Sequence, residues 1–309
     1  MTKRTLDLIC LGEPLYELNQ EPDGRYLGGL VGDTANCAVA AARCGLRSGM
    51  LTHLGDDQFG ASFLRLWLQE NVNSKWVQTV EGAETGLYFV THDDDGHHFS
   101  YRRRQSAAAR MTPGDVPMDA IASAHTLHVS GISMAISNSA ADAVFAAVEL
   151  ARAHDTRVSF DTNLRLALAP LDRSRALFLD LARRSDLLLP GFDDACQLTG
   201  LTDPDEILDH LLDTGCPLIA MTMGADGVRI ATPDERFTLP AAPVHAIDAT
   251  GAGDTFDGAF LSRWIQNDDL RSAANFANAA AALSTTRRGA IQSMPQRTEV
   301  EQFLASQQS

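Results

Sequence analysis

Short apolar segments alternate with helix-like segments along most of this chain. LDLICLG (6–12), SGMLTHLG (48–55) and RVSFDTN (157–163) are typical of buried strands, whereas TANCAVAAARCG (34–45) and DEILDHLLDTG (205–215) are typical of helices. A helix between two buried strands returns the chain to the same edge of the sheet, so successive strands run parallel. The pattern predicts an α/β protein with a doubly wound, mostly parallel sheet.

Residues 17–32 and 84–104 interrupt this alternation. Both segments look like pairs of antiparallel strands, and DDDG (93–96) makes a plausible hairpin turn in the second. We predict that residues from about 14–32 and 84–105 form one small sheet over the carboxyl ends of the core strands, where ligands bind in open α/β sheets. Such a lid would exclude water from a site beneath it. Core and lid are expected to form a single domain, 1–309.

The overall charge narrows the classes of partner. Lys and Arg total 25 against 40 Asp and Glu, a formal net charge of −15, which disfavours nucleic acid and acidic membranes. The sequence contains no run of about 18 apolar residues, so no membrane span is predicted. Asp7 interrupts the apolar stretch that follows Lys3 and Arg4, which argues against a signal peptide. The five cysteines include no Cys-x-x-Cys pair. We therefore expect a cytoplasmic protein without a zinc site or a disulfide framework.

DATGAGDTFDG (248–258) places two glycines and an aspartate before an amphipathic, helix-like run, residues 255–265. VHAID (244–248) in front of it is compatible with the end of a strand. Backbone N–H groups at a helix start can hold negative charge, and glycine lets a phosphate approach the backbone closely. The alternative is that Asp254 only caps the helix. Spacing alone leaves both interpretations open.

Three segments resemble the signatures of the ribokinase-like (PfkB) carbohydrate kinases. They are GGLVGDTANCAVAAARCG (28–45), TGAGDTFDGAFL (250–261) and SAANFANAAAALSTTRRGAI (272–291). The resemblance covers nearly the whole chain and implies a ribokinase-like three-layer α/β/α fold. It also implies an ATP-dependent phosphotransferase with an alcohol acceptor and with Mg²⁺ at the phosphates. By the same resemblance Asp254 is the general base, and the N–H groups of Gly251, Ala252 and Gly253 are the anion hole.

The nucleotide side departs from the family pattern. In LPGFDDACQLTG (189–200), Gly191 and Asp194 stand for the asparagine and glutamate of the family's Asn-x-x-Glu element, and Asp194 keeps a carboxylate that can act on Mg²⁺ through water. Alternatively, Asp193 and Asp194 only complement the helix dipole. In TMGADG (222–227), Thr222 stands where many members carry lysine. The resemblance implies nucleotide contacts by Asp194, Thr222, Gly224, Gly227 and Asn278, and a possible monovalent cation at Asp248 and Thr250.

Two further segments narrow the substrate. TGLYFVTHDDDGHHFSYRRRQSAAARM (85–111) and DTNLRLAL (161–168) resemble the 2-keto-3-deoxygluconate kinases of this family. The resemblance implies phosphorylation of the C6 hydroxyl of 2-keto-3-deoxygluconate, which gives 2-keto-3-deoxy-6-phosphogluconate. It implies a substrate site made of Gly32, Asp33, Asn36, Tyr88, Tyr101, Arg103 and Arg165.

The chemistry of these side chains agrees with an acidic sugar. Arginine binds a carboxylate through two charge-assisted hydrogen bonds, and two arginines in one pocket are costly without an anion to neutralise them. Alternatively, Arg102, Arg103 and Arg104 form a solvated charge run on a strand. The other functions left open are a fructokinase or another hexose or nucleoside kinase, and a non-catalytic sugar-binding regulator on the same fold. Family members often pair through the lid, which implies a homodimer.

Overall fold

The computed structural model describes residues 4–93 and 96–307, whose strands form a nine-stranded sheet and a four-stranded sheet. The strands are β1 (Leu6–Leu11), β2 (Leu15–Gln20), β3 (Tyr26–Val31), β4 (Ser48–Gly55), β5 (Asn73–Val80), β6 (Gly86–Asp93), β7 (Gly96–Arg102), β8 (Ala124–Ser130), β9 (Arg157–Asp161), β10 (Leu187–Leu189), β11 (Ile219–Thr222), β12 (Val228–Ala231) and β13 (Arg236–Leu239). The helices are α1 (Asp33–Arg43), α2 (Gln58–Gln69), α3 (Met118–Ala122), α4 (Gly131–Ala135), α5 (Asn138–Ala153), α6 (Leu171–Ala182), α7 (Phe192–Thr199), α8 (Pro204–Leu212), α9 (Ala252–Trp264), α10 (Leu270–Ser284) and α11 (Arg297–Gln307).

The large sheet has the order β13-β12-β11-β10-β9-β8-β1-β4-β5. The strands from β11 to β5 pair in parallel, whereas β12 and β13 complete one edge antiparallel to their neighbours. From the central β1 the chain continues to β4 on one side and later returns to β8 on the other. This reversal is a topological switch point, and ligands bind at the carboxyl end of such a point in open α/β sheets.

Each face of the large sheet carries an apolar core that holds one layer of helices. On one face Val144, Phe178 and Leu208 anchor α5, α6 and α8. On the other face Phe63 and Phe260 anchor α2 and α9. Burial of these side chains is the dominant stabilising contribution, since each contributes about 1.5–3 kcal/mol relative to an exposed position. The predicted doubly wound, mostly parallel sheet between two layers of helices is confirmed.

The small sheet has the order β3-β2-β6-β7 and joins the two segments that interrupt the alternation. β2 and β3 are antiparallel, as are β6 and β7, which confirms the two predicted strand pairs. The pairs are joined by parallel pairing of β2 with β6, so the small sheet is mixed. Of the predicted DDDG turn, residues 94 and 95 lie outside the described residues.

The prediction of an amphipathic helix after DATGAG is wrong, because α9 is buried on all sides. Every side chain of residues 255–262 is buried, and α9 lies between α1 and α10. A Cβ at Gly258 would stand 2.6 Å from both Ala40 Cβ and Cys37 O, so the close approach of α9 to α1 requires glycine.

The segment VHAID is not the end of a strand. Residues 240–247 form no ladder; instead the N–H groups of Ile247 and Asp248 donate to Thr285 O at 2.7 and 3.1 Å. The carboxyl end of α10 therefore holds this segment and sets where α9 begins.

Candidate active site

A cleft of about 2030 Å³ lies between the carboxyl edge of the large sheet and one face of the small sheet. It is lined at the ends of β9, β10 and β11 and at the starts of α1, α7 and α9. Fold topology alone therefore brings together segments that are far apart in the sequence. The predicted site residues along this cleft are Gly32, Asp33, Asn36, Tyr88, Tyr101, Arg103, Arg165, Asp194, Thr222, Gly224, Asp248, Thr250, Gly251, Gly253 and Asp254.

Asp254 lies in the first turn of α9, a helix that begins directly after a residue in the left-handed conformation. Gly251 precedes the helix with φ of 74°, a conformation that glycine adopts without steric cost. The N–H of Ala252 donates to Ala249 O at 3.1 Å, whereas no hydrogen-bond partner within the described residues holds the N–H groups of Gly251, Gly253 and Asp254. Free N–H groups and the positive end of the helix dipole make this an anion-binding position. Ala252 itself does not line the cleft.

The surroundings of Asp254 raise its pKa to about 7. Burial is the main cause, and the negative charge of Asp33 adds to it, while Asn36 and Arg165 act in the opposite direction. Asn36 Nδ2 donates to Asp254 Oδ2 at 2.7 Å, and Asn163 Nδ2 donates to Asp33 Oδ2 at 3.2 Å. A carboxylate with a pKa near neutral pH is suited to accept a proton from a substrate.

Two buried carboxyl groups next to Asp254 were missed by the sequence analysis. Asp161 ends β9 and Asp257 lies one turn along α9, and both line the cleft. Burial and then the neighbouring carboxylates raise the pKa of each well above its usual value. A signal was present, since residues three apart on a helix share a face and Asp161 opens the DTNLR motif.

Arg103 lines the cleft and forms a buried ion pair with Glu13. Arg103 Nε donates to Glu13 Oε2 at 2.8 Å, and Ser106 Oγ donates to Glu13 Oε1 at 2.5 Å. The expectation that a pocket arginine needs a ligand anion is therefore wrong for Arg103, because Glu13 neutralises it. Arg102 and Arg104 are exposed and do not line the cleft, which fits the solvated charge run for these two residues.

Arg165 differs from Arg103 in its exposure and its partners. It follows β9 on an exposed stretch, and its Nη1 donates to Leu164 O at 2.8 Å. Within the described residues no carboxylate forms an ion pair with it. Arg165 thus provides the cleft with a positive charge that the protein does not neutralise by direct contact.

The hydroxyl of Tyr88 is engaged by a second carboxylate that the sequence analysis missed. Tyr88 donates to Glu17, and both side chains line the cleft. Burial, together with the charge of Glu17, raises the pKa of Tyr88. Tyr88 stacks on Tyr101 with ring centroids 5.8 Å apart, so the two rings form one flat wall of the cleft.

The predicted nucleotide residues divide into two groups. Asp194, Thr222 and Gly224 line the cleft, and Asp194 Oδ2 accepts a hydrogen bond from Leu164 N at 2.8 Å. Burial raises the pKa of Asp194. Gly227 and Asn278 do not line the cleft: Gly227 has φ of 96° in a turn, and Asn278 Nδ2 donates to Pro240 O at 2.5 Å.

Asp248 ties the loop before α9 to the loop after α10. Its Oδ1 accepts from Thr250 N and Oγ1 at 2.9 and 2.6 Å, and its Oδ2 accepts from Gly289 N at 2.9 Å. Partial burial works against ionisation, but these hydrogen bonds outweigh it and lower the pKa of Asp248. Arg288, next to Gly289, adds a further positive charge to the cleft.

No helix within residues 4–93 and 96–307 has the length and apolar character needed to span a membrane. The same ranges contain no group of three or more His, Cys, Asp or Glu side chains arranged to hold a metal ion.

Comparison with known proteins gives the family and the relatives that this chain resembles. The model of the pfkB family carbohydrate kinases matches residues 8–297. The 2-dehydro-3-deoxygluconokinase of Thermoproteus tenax is 34% identical, over 97% of this chain and 94% of that protein. Probable fructokinase-4 of Arabidopsis thaliana is 32% identical, over 88% of this chain and 86% of that protein.

Solved structures extend the similarity to the fold. A putative ribokinase II from E. coli, in complex with ATP and Mg²⁺, superimposes with a TM-score of 0.90 at 24% identity, over 97% of this chain and 99% of that one. A double mutant of fructokinase from Vibrio cholerae O395, with bound fructose, ADP and potassium ion, has a TM-score of 0.87 at 28% identity, over 96% of this chain and 98% of that one. The predicted ribokinase-like fold is confirmed.

Proposed function

The chain belongs to the pfkB family of carbohydrate kinases, and we propose that it transfers the γ-phosphoryl group of ATP to the C6 hydroxyl of 2-keto-3-deoxygluconate. One observation carries the proposal: Asp254, Arg103 and Arg165 line the same cleft. A carboxylate that accepts a proton, together with guanidinium groups, suits an acceptor that has both a hydroxyl and a carboxylate. Similarity to the T. tenax 2-dehydro-3-deoxygluconokinase supports the same substrate.

In the proposed step Asp254 accepts the proton of the C6 hydroxyl. The hydroxyl oxygen bonds to the γ-phosphorus while the bond from phosphorus to the β–γ bridging oxygen breaks, and ADP leaves. The N–H groups of Gly251 and Gly253 donate to the transferring phosphoryl group, and the helix dipole adds to the stabilisation. The hydrogen bond from Asn36 orients Asp254 for the transfer. Of the three N–H groups predicted for the anion hole, that of Ala252 is not assigned to it, because it donates to Ala249 O.

The remaining predicted substrate residues form the wall around the sugar. We infer that Asp33 and Asn36 bind hydroxyl groups near the reacting carbon, since both lie close to Asp254. Gly32 lets the chain pass close to the backbone of Glu13, where a Cβ would stand 2.6 Å from Glu13 O, and the stacked rings of Tyr88 and Tyr101 cover one side of the polyol. The small sheet, which carries both tyrosines, acts as the lid of the site.

On the nucleotide side we infer contacts from Asp194, Thr222 and Gly224. The other carboxylate oxygen of Asp194, Oδ1, has no hydrogen-bond partner within the described residues, which fits binding of Mg²⁺ through a water molecule. When bound with ATP, Mg²⁺ supplies positive charge that offsets the phosphate charge. Gly227 and Asn278 act indirectly, through the turn and through the segment at Pro240 that they hold.

Three further features belong to the same proposal. A monovalent cation binds beside Asp248 and Thr250, in line with the potassium ion in the V. cholerae fructokinase structure. Two copies pair through the small sheet, on which Tyr26 is 44% exposed and does not line the cleft. The reaction takes place in the cytoplasm, since the five cysteines are free.

The proposed substrate is tested by ADP release with purified protein. We expect a much higher kcat/KM for 2-keto-3-deoxygluconate than for fructose or ribose, because only the sugar acid has a carboxylate for the guanidinium groups. The specific alternative is a fructokinase. The A. thaliana relative favours it, and so does Glu17 in the cleft, because its carboxylate suits a neutral sugar better than a sugar acid. Efficient turnover of fructose without turnover of the sugar acid would establish that alternative.

The pH dependence of kcat/KM tests the role of Asp254. The ionised form is the active one, so activity is lost as the pH falls through about 7, the pKa of Asp254. Asp33→Asn removes a like charge and lowers the pKa of Asp254, so the acidic limb of the pH profile of kcat/KM moves to lower pH. Asn36→Leu removes a donor to the ionised form and moves the limb to higher pH.

The measurement is kcat/KM of both variants and the wild type between about pH 5 and pH 9. Asp161 and Asp257 share the surroundings of Asp254 and stay in place in all three proteins. Shifts in the same direction for the two variants would contradict the assignment of the limb to Asp254.

A further inference from the structure

The strongest unexplained feature beside the cleft is the buried carboxylate of Glu13. It follows β1, its side chain is fully buried, and it does not line the cleft. Both of its oxygens are engaged, Oε1 by Ser106 Oγ at 2.5 Å and Oε2 by Arg103. A Cβ at Gly86 would stand 2.7 Å from Oε1, so the space around the carboxylate is filled. A charge in such a place is costly and needs a specific partner.

Arg103 is that partner, and only part of its guanidinium is used. Nε donates to Glu13 Oε2 at 2.8 Å, and Nη2 lies 2.5 Å from the same oxygen. No partner within the described residues holds Nη1, although the side chain is only 7% exposed. The guanidinium also lies 5.6 Å from the centre of the Tyr101 ring. The protein therefore holds one edge of the guanidinium through the Nε hydrogen bond and the ion pair, whereas neither Nη1 nor the buried Nη2 has a hydrogen-bond partner within the described residues.

We propose that Glu13 is a positioning residue for the acid end of the substrate, which binds one edge of Arg103 and presents Nη1 to the substrate carboxylate. The inference rests on the proposed function. Its consequence is a division of labour between the two arginines. The Glu13–Arg103 pair is neutral as a whole and provides direction, whereas Arg165 provides a positive charge that no carboxylate contacts directly within the described residues.

A double-mutant cycle of Glu13→Gln and Arg103→Ala tests this role. Glu13→Gln keeps the size of the side chain but weakens the hold on Nε, so we expect KM for the sugar acid to rise by about tenfold with kcat within a factor of about three. Arg103→Ala removes the group that Glu13 positions. In that background Glu13→Gln is expected to change KM by less than about twofold.

The cycle also separates positioning from general stability. Arg103→Ala leaves a buried carboxylate without a partner and is expected to lower Tm, whereas the double variant regains part of the loss because glutamine carries no charge. Asp7→Asn is the matched control, since Asp7 forms an ion pair with Arg47 at 2.6 Å at the other end of β1 and neither residue lines the cleft. KM for the sugar acid should not change in this control.

Each outcome gives a decision. Equal increases of KM from Glu13→Gln in both backgrounds, or an unchanged KM in the single variant, overturn the positioning role while wild-type turnover of the sugar acid still supports the proposed function. A fall in kcat without a change in KM also overturns it. Absence of sugar-acid turnover by the wild type overturns the proposed function, and the inference with it.

Discussion

Replacement of Asp254 by asparagine is expected to lower kcat by about 10²–10⁴-fold, the usual contribution of a general base. The substitution keeps the shape of the side chain and its place in the first turn of α9, but it removes the proton acceptor. KM for the sugar acid should stay within a factor of about three, because the base acts mainly in the transition state. The measurement is ADP release at saturating substrate, with binding followed separately by calorimetry.

Asp172→Asn is the control for the simpler interpretation of Asp254 as a helix-start residue. Asp172 lies in the first turn of α6, is exposed and does not line the cleft. If Asp254 only stabilised its helix, both variants would lose a little stability and keep their activity. A wild type that binds the sugar acid but never releases ADP would instead favour a sugar-binding regulator.

The fold was predictable because its signal is local. Buried strands such as β4, in which every residue is buried, form continuous apolar runs that stand out in the sequence. Among the strands that the pattern did not single out, β5 and β13 lie at the two edges of the large sheet and carry exposed polar residues, whereas β12 lies inside the sheet and has only 4 residues. Edge strands lack a neighbour on one side, so their sequences need not be apolar.

The site was predictable where one short segment carries the whole signal. Two glycines and an aspartate identify the start of α9, and resemblance extended this to residues along the cleft. Contacts between distant segments were not predictable, because no local pattern connects Glu13 with Arg103 or Asn36 with Asp254. The burial of α9 on all sides was missed for the same reason, since it depends on the neighbouring helices α1 and α10.

Those distant contacts change what the two arginines are expected to do. Resemblance gave Arg103 and Arg165 the same role, the binding of a carboxylate. In the structure Arg103 is buried and neutralised by Glu13, whereas Arg165 is exposed and has no carboxylate partner within the described residues. Charge for binding an anion beside β9 is therefore expected from Arg165, and the direction of the hydrogen bonds is expected from Arg103.

Arg165→Ala is accordingly expected to raise KM for the sugar acid by about 10- to 100-fold, the usual effect of losing a hydrogen bond between charged groups. Turnover of a neutral sugar, even if slow, should change little. Because Arg165 is exposed, salt screens its attraction, so the difference in KM between the wild type and Arg165→Ala should become smaller as the ionic strength rises. Steady-state assays with both substrates at low and high salt measure these effects.

Arg173→Ala provides the matched control for loss of one positive charge. Arg173 lies nearby in the sequence on α6, is exposed and does not line the cleft. It should leave KM for the sugar acid and its salt dependence unchanged, since an exposed charge outside the cleft has no direct contact with the substrate. Equal effects of the two substitutions would mean that only the total charge of the protein matters. An unchanged KM in Arg165→Ala would remove Arg165 from the substrate site.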